Sequence, residues 1–124
     1  MQENIGKNKG VLLFVDDEKN ILNTLKRTFV PLNYVVFTAE SGEAGLDIIS
    51  RNHIDLVVSD IRMPKMDGVR FLKLVTQRWP SIKKIILTGY ASNYDILTDH
   101  YLSKPWNREE LISLVNTMVT KAAN

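Results

Sequence analysis

The sequence predicts an α/β fold in which a parallel sheet is sandwiched by helices, and three observations carry that prediction. Short apolar runs such as Val11 to Val15 show no polar alternation, so both faces of those strands must be covered. Stretches with apolar residues at helical spacing alternate with the runs, which is the order that builds a parallel sheet with helical crossovers. Breakers and caps such as Gly10, Pro31, Ser41, Asp67 and Pro80 punctuate the changes of period.

The elements follow in order. Val11 to Val15 is strand one. Ile21, Leu22, Leu25 and Phe29 fall on one face of a helix that Pro31 ends. Tyr34 to Thr38, aromatic and β-branched, is strand two. Ser41 caps a helix whose inward stripe is Ala44, Ile48 and Ile49. Leu56 to Val58 is a buried third strand flanked by Asp55 and Asp60, and Asp67 caps a helix carrying Val69, Leu72 and Val75 until Trp79 and Pro80 stop it. Ile85 to Leu87 is strand four, and Tyr101 with Leu102 is a short strand five. Asn107 and Glu110 form a capping pair ahead of Leu111, Leu114, Val115 and Met118, the stripe of the last helix.

A chain of 124 residues supports one core, and its 44% hydrophobic and 24% charged residues are those of a folded globular chain. With no cysteine, neither disulfides nor thiolate metal sites contribute. No stretch resembles a membrane span or a secretory signal, so a cytoplasmic location is expected. A net charge of +2, with no basic stripe, argues against nucleic-acid contact by this domain. The expected organisation is a flexible segment at 1–9, one domain at 10–120, and a tail or linker start at 121–124.

In a parallel sheet of this kind ligands gather at the carboxyl ends of the strands. Asp16 and Asp17 follow strand one, Asp60 follows strand three, Thr88 follows strand four and Lys104 follows strand five. Taken singly, each has a plain explanation: Asp16 and Asp17 as helix caps, Thr88 as a turn hydroxyl, Lys104 as a solvated lysine. Together they form a mouth of repelling carboxylates that calls for a cation, and an all-oxygen set suits magnesium or manganese rather than zinc. In that setting Asp60 is the candidate nucleophile toward phosphorus, Lys104 a partner for phosphoryl oxygens, and Thr88 a hydroxyl donor to another of them. Backbone N–H groups near Arg62 and Met63 would complete the cradle.

These residues carry a resemblance. The acidic pair Asp16-Asp17, the stretch from Asp60 through Ile61, Arg62, Met63, Pro64, Lys65, Met66 and Asp67 to Gly68, the Thr88-Gly89 turn, and Lys104-Pro105-Trp106 occur in the order seen in bacterial two-component response-regulator receiver domains. Over about residues 10 to 120 the chain resembles that family. The resemblance implies a doubly wound, five-stranded parallel sheet of order 2-1-3-4-5, the flavodoxin-like receiver fold. It implies a phosphorelay switch rather than a turnover enzyme, with Asp60 receiving a phosphoryl group from a histidine kinase or histidine phosphotransfer protein and slow self-catalysed hydrolysis. It further implies Mg2+ (or Mn2+) on Asp16, Asp17, Asp60 and the backbone carbonyl of Arg62, catalytic roles for Asp60, Lys104 and Thr88, a switch pair Thr88 and Tyr101, and a cis Lys104–Pro105 bond.

Tyr101 also reads as a half-buried strand aromatic, Trp79 and Trp106 as packing residues, and His53 and His100 as surface or packing residues without a second ligand at metal spacing. The chain departs from the family between Thr88 and Tyr101, where Gly89 to His100 leaves room for only a shortened or irregular fourth helix, a loop, or an exchange of elements between chains. An altered output surface is therefore expected, with a homo-oligomer through a non-standard interface as one consequence. Two other functions compete: a binding module that signals unphosphorylated, and a phosphatase or phosphotransferase that turns over an aspartyl intermediate.

Overall fold

The computed structural model describes residues 7–89 and 100–123. In chain order they form β1 (Val11–Val15), α1 (Lys19–Phe29), a 3₁₀ turn (Val30–Leu32), β2 (Val35–Ala39), α2 (Gly42–Arg51), β3 (Leu56–Ser59), α3 (Gly68–Arg78), β4 (Lys83–Thr88), β5 (Tyr101–Ser103) and α4 (Arg108–Ala123). The five strands are parallel in the order β2-β1-β3-β4-β5, the doubly wound arrangement expected from the sequence. The connection for which a shortened helix was expected lies outside the described residues.

The two-fold period of a strand explains why the central runs are wholly apolar. Leu12 and Phe14 point to one face and join Leu22, Leu25, Phe29, Leu111 and Val115 from α1 and α4. Leu13 and Val15 point to the other and join Ile49, Phe71, Leu72 and Val75 from α2 and α3. Leu12, Leu13 and Phe14 have no exposed surface, and each such burial contributes about 1.5–3 kcal/mol. The ring of Phe29 lies 5.4 Å from that of Phe14 and 5.7 Å from that of Tyr34, so the end of α1 is locked to β1 and to the entry of β2. Trp106 packs beside the first of these cores and Trp79 beside the second.

The starts of α2, α3 and α4 are set by side-chain caps. The Ser41 hydroxyl accepts the Ala44 N–H (3.1 Å), the Asp67 carboxylate accepts that of Arg70 (2.9 Å), and the Asn107 side chain accepts that of Glu110 (2.9 Å). Pro31 ends α1 by entering the 3₁₀ turn, which closes on Asn33 at φ 73°. Strand ends differ from the apolar reading by a residue or two. The second strand begins at Val35 rather than Tyr34, because Tyr34 turns inward to Phe29 and donates its hydroxyl to Asn116. The fourth begins at Lys83, because pairing with Leu56 and Val57 recruits two lysines, Lys83 exposed and Lys84 half-buried with its ammonium donating to the Ile82 carbonyl (3.1 Å).

Candidate functional site

The carboxyl ends of β1, β3, β4 and β5 converge on one acidic mouth. Asp16 follows β1, is 3% exposed, and donates its N–H to the Ala39 carbonyl (3.1 Å) while one carboxylate oxygen accepts the Glu18 N–H (2.8 Å). Asp60 follows β3, is 7% exposed, and donates its N–H to the Val15 carbonyl (2.9 Å). Its Oδ1 accepts the Ile61 N–H at 2.7 Å. Thr88 ends β4, is fully enclosed, and gives its carbonyl to the Lys104 N–H at 2.7 Å, which fixes the lysine where β5 ends. The Lys104–Pro105 peptide is cis.

Lys104 then reaches across the mouth. Its ammonium lies 2.8 Å from Asp16 Oδ2, 3.2 Å from Asp60 Oδ2 and 3.8 Å from Glu18 Oε1. Burial is the main force raising the Asp16 pKa; the hydrogen bonds from Lys104 and the Glu18 N–H and the lysine charge oppose it, and the Asp60 charge adds to it. Burial acts to lower the Lys104 pKa, but its hydrogen bonds to Asp16 and Asp60 and their charges outweigh that and hold it above the usual lysine value. Asp16 stays raised despite its ion pair because the cost of burying its charge outweighs what the ammonium and the Glu18 N–H return.

Asp17 and Glu18 add to the surplus of negative charge. One carboxylate oxygen from each of Asp16, Asp17 and Glu18 lies within 4.8 Å of the others, and Asp60 is tied to this group through Lys104. An all-oxygen donor set with excess negative charge fits a hard divalent cation. Glu18 was not singled out in the sequence, although its place directly after Asp16-Asp17 was a signal. His53 pairs instead with Asp55 (2.7 Å) at the opposite end of β3, and the His100 carbonyl accepts the Ile86 N–H (3.1 Å).

The loop after β3 is held against the first turn of α3. Gly68 donates its N–H to the Ile61 carbonyl at 2.7 Å, and a Cβ at Gly68 would lie 2.0 Å from the Asp60 carbonyl oxygen. Only glycine permits this approach, so the Asp67-Gly68 step is part of what positions Asp60. Arg62 is exposed, Met63 is buried beneath it, and Lys65 takes φ 68° at the loop's turn. Tyr101, on edge strand β5, is 41% exposed and borders a groove of about 600 Å³ shared with Leu102 and with Glu110, Ser113, Leu114 and Thr117 of α4.

A doubly wound parallel sheet with an acidic, lysine-bridged mouth at the carboxyl ends of its strands is the arrangement of a class of phosphorylation switches. Residues 12–116 match the response regulator receiver domain, and the chain belongs to that family. It is 33% identical over 118 residues to the hydrogenase transcriptional regulatory protein HoxA of Cupriavidus necator, covering 90% of this chain and 24% of that protein. It is 34% identical over 118 residues to the DNA-binding transcriptional regulator NtrC of Klebsiella pneumoniae, covering 90% and 25%. The chain thus spans about a quarter of the length of these curated relatives. Among solved structures, the signal receiver domain of an HD domain-containing protein from Pseudomonas fluorescens superposes with a TM-score of 0.87 at 30% identity, covering 92% of this chain and 97% of that one. The response regulator TrrA of Thermotoga maritima, solved in complex with Mg(2+)-BeF, gives a TM-score of 0.82 at 32% identity, covering 88% and 98%.

The chain is therefore a receiver domain of phosphorylation-based two-component signalling, a class with weak autocatalytic phosphorylation and dephosphorylation. Among the described residues, no helix is long and apolar enough to cross a membrane.

Proposed function

We propose that Asp60 is the phosphoacceptor of this domain and that its donor is a phosphohistidine on a histidine kinase or histidine phosphotransfer protein. The observation that carries the reading is the placement of Asp60: its Oδ1 is pinned by the Ile61 N–H (2.7 Å) and its Oδ2 faces the Lys104 ammonium (3.2 Å). An Asp60 oxygen bonds to phosphorus as the phosphorus–nitrogen bond of the donor breaks, and the imidazole leaves with a proton.

Asp16, Asp17, Asp60 and the backbone carbonyl of Arg62 would hold Mg2+ (or Mn2+), with Glu18 beside them. Such an ion supplies offset of the negative charge on the transferring group. Lys104 pairs with one phosphoryl oxygen, Thr88 donates its hydroxyl to another, and backbone N–H groups near Arg62 and Met63 orient the group. Movement of Thr88 toward the phosphoryl group biases Tyr101, which borders the groove between β5 and α4, and a partner or further domain reads the change there. The reading takes residues 10–120 as the working domain and the cytoplasm as its place.

Incubation with a small phosphodonor and Mg2+ tests it. The wild-type chain should gain one alkali- and hydroxylamine-labile phosphoryl group and D60N none; labelling retained in D60N removes Asp60 as the acceptor. A long-lived stoichiometric adduct separates the switch from an enzyme with rapid turnover of phosphate esters. The mass in solution before and after labelling reports on a homo-oligomer through a non-standard interface.

A further inference from the structure

Glu18 carries a carboxylate that neither the fold nor the phosphoacceptor reading employs. It stands at the N-cap of α1, and its longer side chain makes no capping bond there. Its main chain serves the helix instead, the carbonyl accepting from Ile21 (3.0 Å) and Leu22 (3.2 Å) and the N–H donating to Asp16 Oδ1 (2.8 Å). The side chain is 64% exposed, and its Oε1 lies 3.8 Å from the Lys104 ammonium.

That ammonium is committed elsewhere, to Asp16 Oδ2 at 2.8 Å and Asp60 Oδ2 at 3.2 Å. Asp16 and Asp60, both placed in the metal set, therefore each face two claims, one from Lys104 and one from the divalent ion. Two cations sharing one buried carboxylate repel each other strongly, so the ammonium needs another partner close by. Glu18 is that partner. It is already within ion-pair distance, and being exposed it takes up a cation with little loss of hydration.

We propose that Glu18 is a positioning residue that acts through Lys104, receiving its ammonium as Asp16 yields Oδ2 to a divalent cation. The proposal rests on the reading that Asp16 belongs to the metal set. Glu18 thereby eases metal entry and keeps the lysine charge at the rim of the mouth, within reach of an arriving phosphoryl group.

A double-mutant cycle on Mg2+ affinity, measured by titration calorimetry of the whole chain, tests this. E18Q should weaken Mg2+ binding by about twofold to fivefold, the range of an exposed ion pair. K104M should tighten Mg2+ binding by removing the competing cation, and in the K104M background most of the E18Q effect should vanish. Repeating the cycle with K104Q guards against a packing artefact of either lysine variant. Equal weakening by E18Q in both backgrounds would mean that Glu18 acts on the metal directly, and would overturn the proposal. So would wild-type affinity in E18Q alone. If the wild-type chain binds no Mg2+, the metal reading itself falls, an outcome distinct from a cycle without coupling.

Discussion

Lys104 and Asp60 stand 44 residues apart in the chain, yet the lysine ammonium lies 3.2 Å from Asp60 Oδ2 and shares its charge with Asp16 at 2.8 Å. Both carboxylates are buried, so the lysine acts as an internal counter-ion as well as a candidate ligand for the phosphoryl group.

Removing that counter-ion should destabilise the domain. K104M leaves Asp16 and Asp60 facing one another without a cation, at a cost of about 1–3 kcal/mol, less than for a dry interior because water reaches the mouth. Urea denaturation in chelator measures the loss. Added Mg2+ should recover more stability in K104M than in wild type, and equal recovery in both would contradict the counter-ion role.

The raised Asp16 pKa sets a pH dependence with a definite sign. The native state holds the Asp16 proton more tightly than the unfolded chain, whose value is near 3.8. Between that value and the raised native one, the native state binds more protons, so this group's contribution to stability falls as pH rises through the window. D16N should flatten that part of the stability profile recorded in chelator. A profile unchanged in D16N would count against an Asp16 pKa raised by burial.

Gly68 should not tolerate a side chain. A Cβ there would sit 2.0 Å from the Asp60 carbonyl oxygen and 2.7 Å from the Ile61 Cα, and both are backbone atoms that cannot rotate away. G68A should cost about 2–4 kcal/mol and slow phosphodonor labelling, since relief of the clash displaces the loop that carries Asp60. Wild-type stability and labelling in G68A would refute the close approach.

The caps of α2 and α3 should act locally. S41A and D67A each lose one side-chain bond to an orphan N–H, with about 1 kcal/mol of stability lost for each. Thermal melts compare them. D67A should also perturb labelling, because α3 begins against the Asp60 loop, whereas S41A should leave it unchanged.

Much of this architecture was legible in the amino-acid order. The run Val11 to Val15 could only be a strand covered on both faces, and Ser41, Asp67 and Asn107 announced helix starts that the structure contains. Strand ends were less legible, because Lys83, Lys84 and Ser103 enter the sheet through backbone pairing with a neighbour rather than through apolar side chains. Glu18 escaped notice because its part depends on where Lys104 lies, 86 positions away by residue number and 3.8 Å away in space.

Local periodicity and capping chemistry by themselves determined the alternation of buried strands and one-sided helices, since both are written within a few residues. Only the tertiary structure showed which partner each acidic side chain meets. Asp55 and Asp60 flank the same apolar strand, yet Asp55 ties the Val11 N–H (2.8 Å) at one end while Asp60 meets Lys104 at the other. The parallel register of β1, β3, β4 and β5 makes that division, because it gathers like ends of strands that are distant in the chain and so concentrates charge where no local pattern could.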